Sequence, residues 1–464
     1  MVAACALAGC GDTAARRGNT VLFASGADLQ SPNPLFTVHP LARQVQRYVL
    51  LTTLVQYDSA MQVVPYLARR WAWSADGRRL TMTLTPDLRW HDGVPTTAHD
   101  AAWTLTTAQD LGVGYPRLTD LAGLTATAPD DSTLVLSFAS APGRVPDVLT
   151  DLAILPQHLL DTVPRARLRQ AAWNQSPVGN GPFRFVAHEP NRRWVFARNP
   201  DFPSRLGGPP ALERLVIAVV DEPMTKLAAL AAGELDFAGI QPAHARFVAA
   251  RPALRTVDYP LLFSVGIVFN ARHAPFDRLA ARAAVAGAID RQAIVDGFTY
   301  GFGTPGDQPV LPEVPLPALP PRPRPAMPAE PPPSFELLTV GSGEAAMEQM
   351  LQAQLARHGM TVRIRQLELS AFLARVYGPA PDFDAAVLGT PGDLGLGYLA
   401  PLAELSGLRA PAGTAAVLRF IADSVPVTMI YHARGLQGMN RRVQGVAFGL
   451  RGELATVSRW HVAP

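Results

Sequence analysis

The chain has 464 residues, 48% of them apolar and 17% charged, with 41 basic against 38 acidic side chains. That length exceeds one small core and predicts two or three lobes. The near balance of charge gives no reason to expect nucleic acid, and no apolar run approaches the roughly 20 residues of a membrane helix.

Both cysteines, Cys5 and Cys10, stand in the first ten positions. The rest of the chain therefore carries no disulfide, thiolate nucleophile or cysteine zinc site. Leu7-Ala8-Gly9-Cys10 resembles a bacterial lipobox, whose cysteine is acylated and becomes the mature N-terminus. Residues 1–10 are read as a lipoprotein signal and 11–19 as a polar tether. The expected location is the extracytoplasmic face of a bacterial cell membrane, lipid-anchored, or the periplasm.

From about 20 to 260 the pattern is strand-like with short helices between. Leu80, Met82 and Leu84 alternate with Thr81 and Thr83, and Leu134, Leu136 and Phe138 repeat the alternation, as half-buried strands do. Asp92-Gly93 is a turn signal. Thr97 and Asp100 have capping-box spacing, which predicts a helix start near Ala98. After about 262 the grammar changes. "PFDRLAARAAVAGAIDRQAIVDG" reads as one helix with Asp277 as N-cap, an apolar face of Val285, Ile289 and Ala293, and a stop at Gly297.

Residues 304–333 are dominated by proline and should form neither helix nor sheet. They read as extended polyproline II, either a stiff surface loop or a ligand for a proline-binding domain. Beyond them come a strand at Leu337–Val340, a helix at 344–358 stopped by Gly359, a strand around Val362 and Ile364, a helix at 370–377 and a strand at 383–388. That order implies a parallel sheet with helices on its faces.

The familiar catalytic motifs are missing. The lone lysine, Lys226, has no glycine-rich lead, which excludes a Walker A motif. No Gly-x-Ser-x-Gly elbow or His-Glu-x-x-His helix occurs. His91 and His99 are scattered metal candidates, and Asp92 and Asp100 read as turn and helix-start residues rather than an acid–base pair. No catalytic residue, metal or cofactor is expected.

The stretch "VPYLARRWAWSADGRRLTMTLTPDLRWHDGVPTTAHDAAWTL" carries Pro65, Leu67, Ala68, Trp71, Asp76, Gly77, Trp90, Asp92, Gly93, Pro95, Thr97, Ala98 and Asp100. In that spacing it resembles the signature region of the family 5 extracellular solute-binding proteins, the oligopeptide, dipeptide and nickel receptors of ABC importers. "SPVGNGPFRF", "ARNPDF", "ELDFAGIQP", "VFNARHAPFDRLAARAAVAGAIDRQAIV", "HGMTVRI" and "DFDAAVLG" follow in the family's order. The resemblance runs from about 20 to 450. Three departures stand out: the Pro-rich run, a short interval after "DFDAAVLG", and Thr390-Pro391-Gly392-Asp393 where the family has Trp-x-x-Asp.

The resemblance implies an α/β, two-lobed periplasmic-binding-protein fold with a hinge and an interlobe ligand cleft of the large, peptide-binding type. Lobe I would be 20–262 plus 436–464 and lobe II 263–435, with the Pro-rich loop 304–333 inside it. It also implies ligand-binding residues. Asp393 matches the carboxylate that holds a peptide ammonium, or else it caps a turn. Thr390 stands in the same motif. Trp103 matches a cleft aromatic, or packs in the core. Gly179, Asn180 and Gly181 match a loop close to the ligand, or form a plain turn. Thr52 and Thr53 match a strand facing the cleft, or a buried strand end. Phe269 and Asn270 are placed at the crossing between lobes, and Arg282 and Asp290 are read as structural, capping or paired. The implied function is a monomeric, non-enzymatic receptor that hands a peptide to a permease and ATPase on separate chains. The alternatives are a signalling or divergent receptor for a nickel chelate or other solute, and an enzyme using the same cleft.

Overall fold

The computed structural model describes residues 18–314, 316 and 334–463. Cys10, most of the tether and the bulk of the Pro-rich run lie outside the described residues. The chain divides into two compact α/β units, Met1–Val257 with Leu436–Pro464 and Asp258–Gly435. Phe269 and Asn270 therefore lie well inside the second unit and not at a crossing; Phe269 packs in its core, 4.8 Å from Phe276.

Two larger sheets organise the first unit, beside two short antiparallel pairs, Val55–Tyr57 with Val63–Pro65 and Val443–Gln444 with His461–Val462. In one of the larger sheets, Thr20–Ser25 runs parallel to Arg214–Val219 and to Phe237–Gly239. Antiparallel strands Arg193–Arg198 and Phe183–Glu189 extend it on one side. Leu215, Val216 and Ile217 are buried in succession, as expected where both faces of a strand are covered. Gln437, Gly438 and Met439 close the other side against Phe237–Gly239. The buried carboxylate of Asp236 locks this return of the chain. It meets Arg442 Nε at 2.7 Å and accepts from Leu22 N, while Arg442 also donates to Thr20 O. Phe23, Phe237 and Trp460 stack beneath, with Phe237 and Trp460 centroids 4.7 Å apart.

The second sheet is antiparallel, in the order Ala68–Trp73, Arg79–Leu84, Thr133–Phe138, Leu124–Asp130. Leu80, Met82 and Leu84 are buried while Thr81 and Thr83 are only partly so, the alternation the sequence predicts. The helix Ala98–Gln109 begins where the capping-box spacing places it, and Asp100 Oδ2 accepts from Thr97 N at 2.8 Å.

The second unit follows the strand-helix-strand-helix-strand order. Ser334–Val340 lies parallel to both Thr361–Leu367 and Ala385–Pro391. The helices Ala346–Ala356 and Leu369–Tyr377 connect them, and Gly359, at φ +78°, ends the first connection where expected. Ala385–Pro391 then pairs antiparallel with Phe263–Phe269.

Two expectations about this unit need correction. The long helix is two helices, Leu279–Ala288 and Arg291–Phe298, broken at Ile289 and Asp290. Arg278, not Asp277, stands at the first N-cap; Asp290 is the cap that matters, its carboxylate accepting from Ala293 N at 3.0 Å. Gly297 lies within the second helix, which runs one residue further. The Pro-rich run does contribute to a sheet at its start: Gly303–Pro305 pairs with Tyr431–Ala433. Pro305 ends that short strand, where a missing N–H is tolerated.

Candidate functional site

In the first unit the predicted residues gather around the chain that leaves the helical segment Gln46–Leu50. Gly181 N donates to Leu50 O at 2.9 Å. An added Cβ at Gly179 would lie 2.0 Å from Leu50 O, and one at Gly181 2.5 Å from Val49 O, so only glycine allows this approach. His91 ties the loop from the other side. Its N–H donates to Gly179 O at 2.7 Å, its Nδ1 accepts from Gly179 N at 3.2 Å, and its Nε2 lies 3.0 Å from Gly181 O. One neutral tautomer, with the proton on Nε2, meets both ring contacts. Burial holds this imidazole down to about 4, against the Gly181 carbonyl, which favours the protonated form.

Thr52, Thr53 and Asn180 are fully buried. Thr53 Oγ1 donates to Val55 O, and Asn180 Nδ2 to Thr96 Oγ1. Thr52 Oγ1 and Asn180 Oδ1 are buried polar atoms with no hydrogen-bond partner among the described residues. Thr52 O accepts from Ile154 N, and Leu155 N donates to Thr104 Oγ1, so one segment joins Thr52 to the helix that carries Trp103. Trp103 itself is 9% exposed and belongs to the core, with the Arg165 guanidinium 4.7 Å over its ring.

The signature stretch has a scaffolding role. Asp92 and Gly93 make the expected turn, with Gly93 at φ +93°, and Asp92 Oδ2 meets His158 Nε2 at 2.8 Å. Asp100 is buried and accepts from Thr97 N, Trp90 Nε1 and Gln157 N. Burial raises its carboxyl, which these donors only partly oppose.

In the second unit, Thr390 is nearly buried and pairs in register with Ser264. Gly392 N donates to Leu262 O at 2.8 Å, and Asp393 follows, half-buried. Asp393 Oδ1 accepts from Gly397 N at 3.3 Å. Tyr398 packs beside Gly392 and donates to Pro309 O at 2.7 Å. Burial, and then the charge of Asp393, push its phenol up.

The sequence reading missed one charged cluster of the first unit. Arg43 and Arg47 sit four apart on consecutive helical turns, and Arg117 comes from a distant loop. All three converge on Asp151: Arg43 pairs with its Oδ2, Arg47 Nη1 lies 2.6 Å from Oδ1, and Arg117 Nη1 lies 2.9 Å from Oδ2. Arg117 Nη2 also meets Asp120 at 2.5 Å. Burial would raise the Asp151 carboxyl, but Arg43, Arg47 and Arg117 together hold it below its ordinary range. The four-residue spacing of Arg43 and Arg47 was the available signal; their shared partner lies a hundred residues on. Among the described residues no group of three or more His, Cys, Asp or Glu side chains could hold a metal.

Comparison with known proteins places these features in a family. The model for "Bacterial extracellular solute-binding proteins, family 5 Middle" matches residues 62–399. A Brucella ovis protein named "Putative ABC transporter peptide-binding protein" is 28% identical over 257 residues, 55% of this chain and 48% of that protein. The nickel-binding periplasmic protein of Escherichia coli is 26% identical over 298 residues, 62% of this chain and 53% of that one. The matched region thus spans about half the length of these curated relatives. Among solved structures, the ABC transporter substrate-binding protein CtaP of Listeria monocytogenes has a TM-score of 0.84 at 18% identity, covering 96% of this chain and 100% of that one. That likeness establishes the fold.

Proposed function

The chain belongs to the bacterial extracellular solute-binding proteins of family 5, and from that premise we propose that it is the substrate-binding receptor of an ABC importer, with a peptide as its solute. The family match over residues 62–399 carries this reading. The peptide class is supported by the name of the Brucella relative and by the position of Asp393 after Thr390-Pro391-Gly392. Asp393 takes the peptide's α-ammonium: a carboxylate offers about four acceptor positions, and a charge-assisted bond to an ammonium is stronger than a neutral one. Within the first unit, Thr52, Thr53, Trp103 and Gly179 to Gly181 are the proposed ligand contacts, with Thr52 Oγ1 and Asn180 Oδ1, which have no hydrogen-bond partner among the described residues, as the polar atoms on offer. The permease and ATPase are separate chains, and no group is assigned a catalytic role.

The receptor is anchored through an acylated Cys10 at the extracytoplasmic face of the membrane. Replacing Cys10 by Ser then releases it from the membrane fraction; unchanged fractionation would refute the anchor. The ligand class is tested by thermal shift of the purified chain against peptide pools, nickel chelates and sugars. A peptide raises the transition by mass action, and Asp393→Ala weakens its binding by about tenfold or more. A shift with nickel chelates or sugars alone would overturn the peptide assignment.

A further inference from the structure

We propose that a recess of the first unit, lined by Arg255, Arg441, Val443, Gln444, Val446 and Ala447, binds a phosphate group, and that the source of the phosphate is the headgroup of an anionic phospholipid. The inference rests on the reading that acylated Cys10 anchors the chain, and it assigns the part of the first unit that then meets the membrane.

The recess lies where the chain returns toward its first strand. Arg441 N donates to Ala253 O at 2.8 Å, and Arg441 Nε to Leu254 O at 2.9 Å. Arg255 follows Leu254 directly, so the two arginines stand side by side. Each guanidinium carries five N–H donors. Arg441 commits one to the Leu254 carbonyl. Arg255 Nη2 meets the Met439 thioether, a weak acceptor, at 3.3 Å, and its Nε is buried with no hydrogen-bond partner among the described residues. Neither arginine forms an ion pair among the described residues, and no carboxylate lines the recess. Arg442, one position on, is the contrast, since the buried Asp236 matches it. Arg255 is half-buried. A partly desolvated cation without a counterion is costly, and an entering anion relieves that cost.

Size and chemistry favour a phosphate ester. The recess holds about 590 Å³, many times the roughly 30 Å³ that a water takes in the liquid, so it has room for more than a bare ion. The oxygens of one phosphate can take both guanidinium forks. Val443, Val446 and Ala447 offer apolar surface to the glycerol part of a headgroup. Placement then selects the lipid. Arg442 Nη1 donates to Gly18 O at 3.1 Å and Nη2 to Thr20 O at 2.6 Å, which seats the start of the first strand one residue from a lining arginine. Cys10 stands eight residues before Gly18, a reach of at most about 29 Å. With Cys10 in the bilayer, the recess stays close to the headgroups.

The test is co-sedimentation of the unacylated full chain, Cys10→Ser, at low salt with vesicles of phosphatidylcholine alone or mixed with phosphatidylglycerol. The recess predicts tighter binding to the mixed vesicles, weakened about fivefold by Arg255→Gln or by Arg441→Gln. Arg70→Gln, which removes an exposed arginine of the other sheet, should change it by less than about twofold. Arg441→Gln also loses a carbonyl contact, so Arg255→Gln keeps the test sound should that variant fail to fold. Equal losses in all three variants would mean net charge alone and overturn the recess. Calorimetric titration with glycerol phosphate separates the sources. Heat that depends on Arg255, with no preference for the mixed vesicles, would support the phosphate site and overturn the lipid. Neither heat nor preference would overturn both. Fractionation of Cys10→Ser in cells tests the anchor separately, so the two readings can fail independently.

Discussion

At the scale of single residues, the clearest tests lie where His91 grips the glycine loop. Its imidazole sits near 4 in the folded chain, against about 6.5 when unfolded, so the native state binds fewer protons. Stability from this group is complete above about 6.5 and is lost as pH falls toward 4, by up to about 3 kcal/mol. Chemical denaturation of wild type and His91→Gln at pH 7 and pH 4.5 checks this. The variant should lose much of the acid sensitivity, and an unchanged slope would count against the latch. Gly179→Ala drives a methyl into Leu50 O and should cost about 1–3 kcal/mol. Gly449→Ala, with nothing within 4 Å of the added carbon, should stay within about 0.5 kcal/mol. The glycines were legible only as a loop close to a ligand or a plain turn; the close approach in the fold is to the backbone of Val49 and Leu50. His91 was not legible as their latch, because its partners lie some ninety residues downstream and local spacing carries no trace of them.

At the scale of elements, local chemistry was readable wherever a side chain bonds its own neighbourhood. Thr97 and Asp100 mark their helix start, Asp92-Gly93 its preceding turn, and Gly359 a helix end. The break at Asp290 went unread, because the apolar spacing of Val285 and Ile289 runs straight through it, although Asp290 itself was read as structural, capping or paired, and capping is what it does. Loss of that cap in Asp290→Ala should cost about 1 kcal/mol. Arg282 fastens the same region from inside. Buried in the first of the two helices, it donates to Phe276 O at 2.6 Å and to Ser424 O at 2.7 Å. Arg282→Met leaves those carbonyls without their donor and should destabilise by about 2–3 kcal/mol in urea unfolding, with Arg282→Lys intermediate. Equal stability of Arg282→Met and wild type would contradict this role.

At the scale of the whole molecule, the α/β class and the family were readable because six motifs keep their order along the chain. The physical reasons for some of them appear only in three dimensions. Asp236, in the matched "ELDFAGIQP" segment, is conspicuous in sequence only as one acidic residue among many. In the fold it is the buried partner of Arg442 that ties the last segment of the chain to its first strand. Of the Arg43, Arg47, Arg117 and Asp151 cluster, the sequence shows only the four-residue spacing of the first two. A receptor also predicts a property that belongs to no single element: ligand at about a hundredfold over its dissociation constant stabilises the fold by about 2.7 kcal/mol. The most direct test of the central claim is equilibrium capture from a defined peptide library by the purified chain, followed by mass spectrometry of what is released. The account predicts that peptides are retained and recovered with their covalent structure unchanged; a library that passes through unbound, or peptides recovered cleaved, would contradict it.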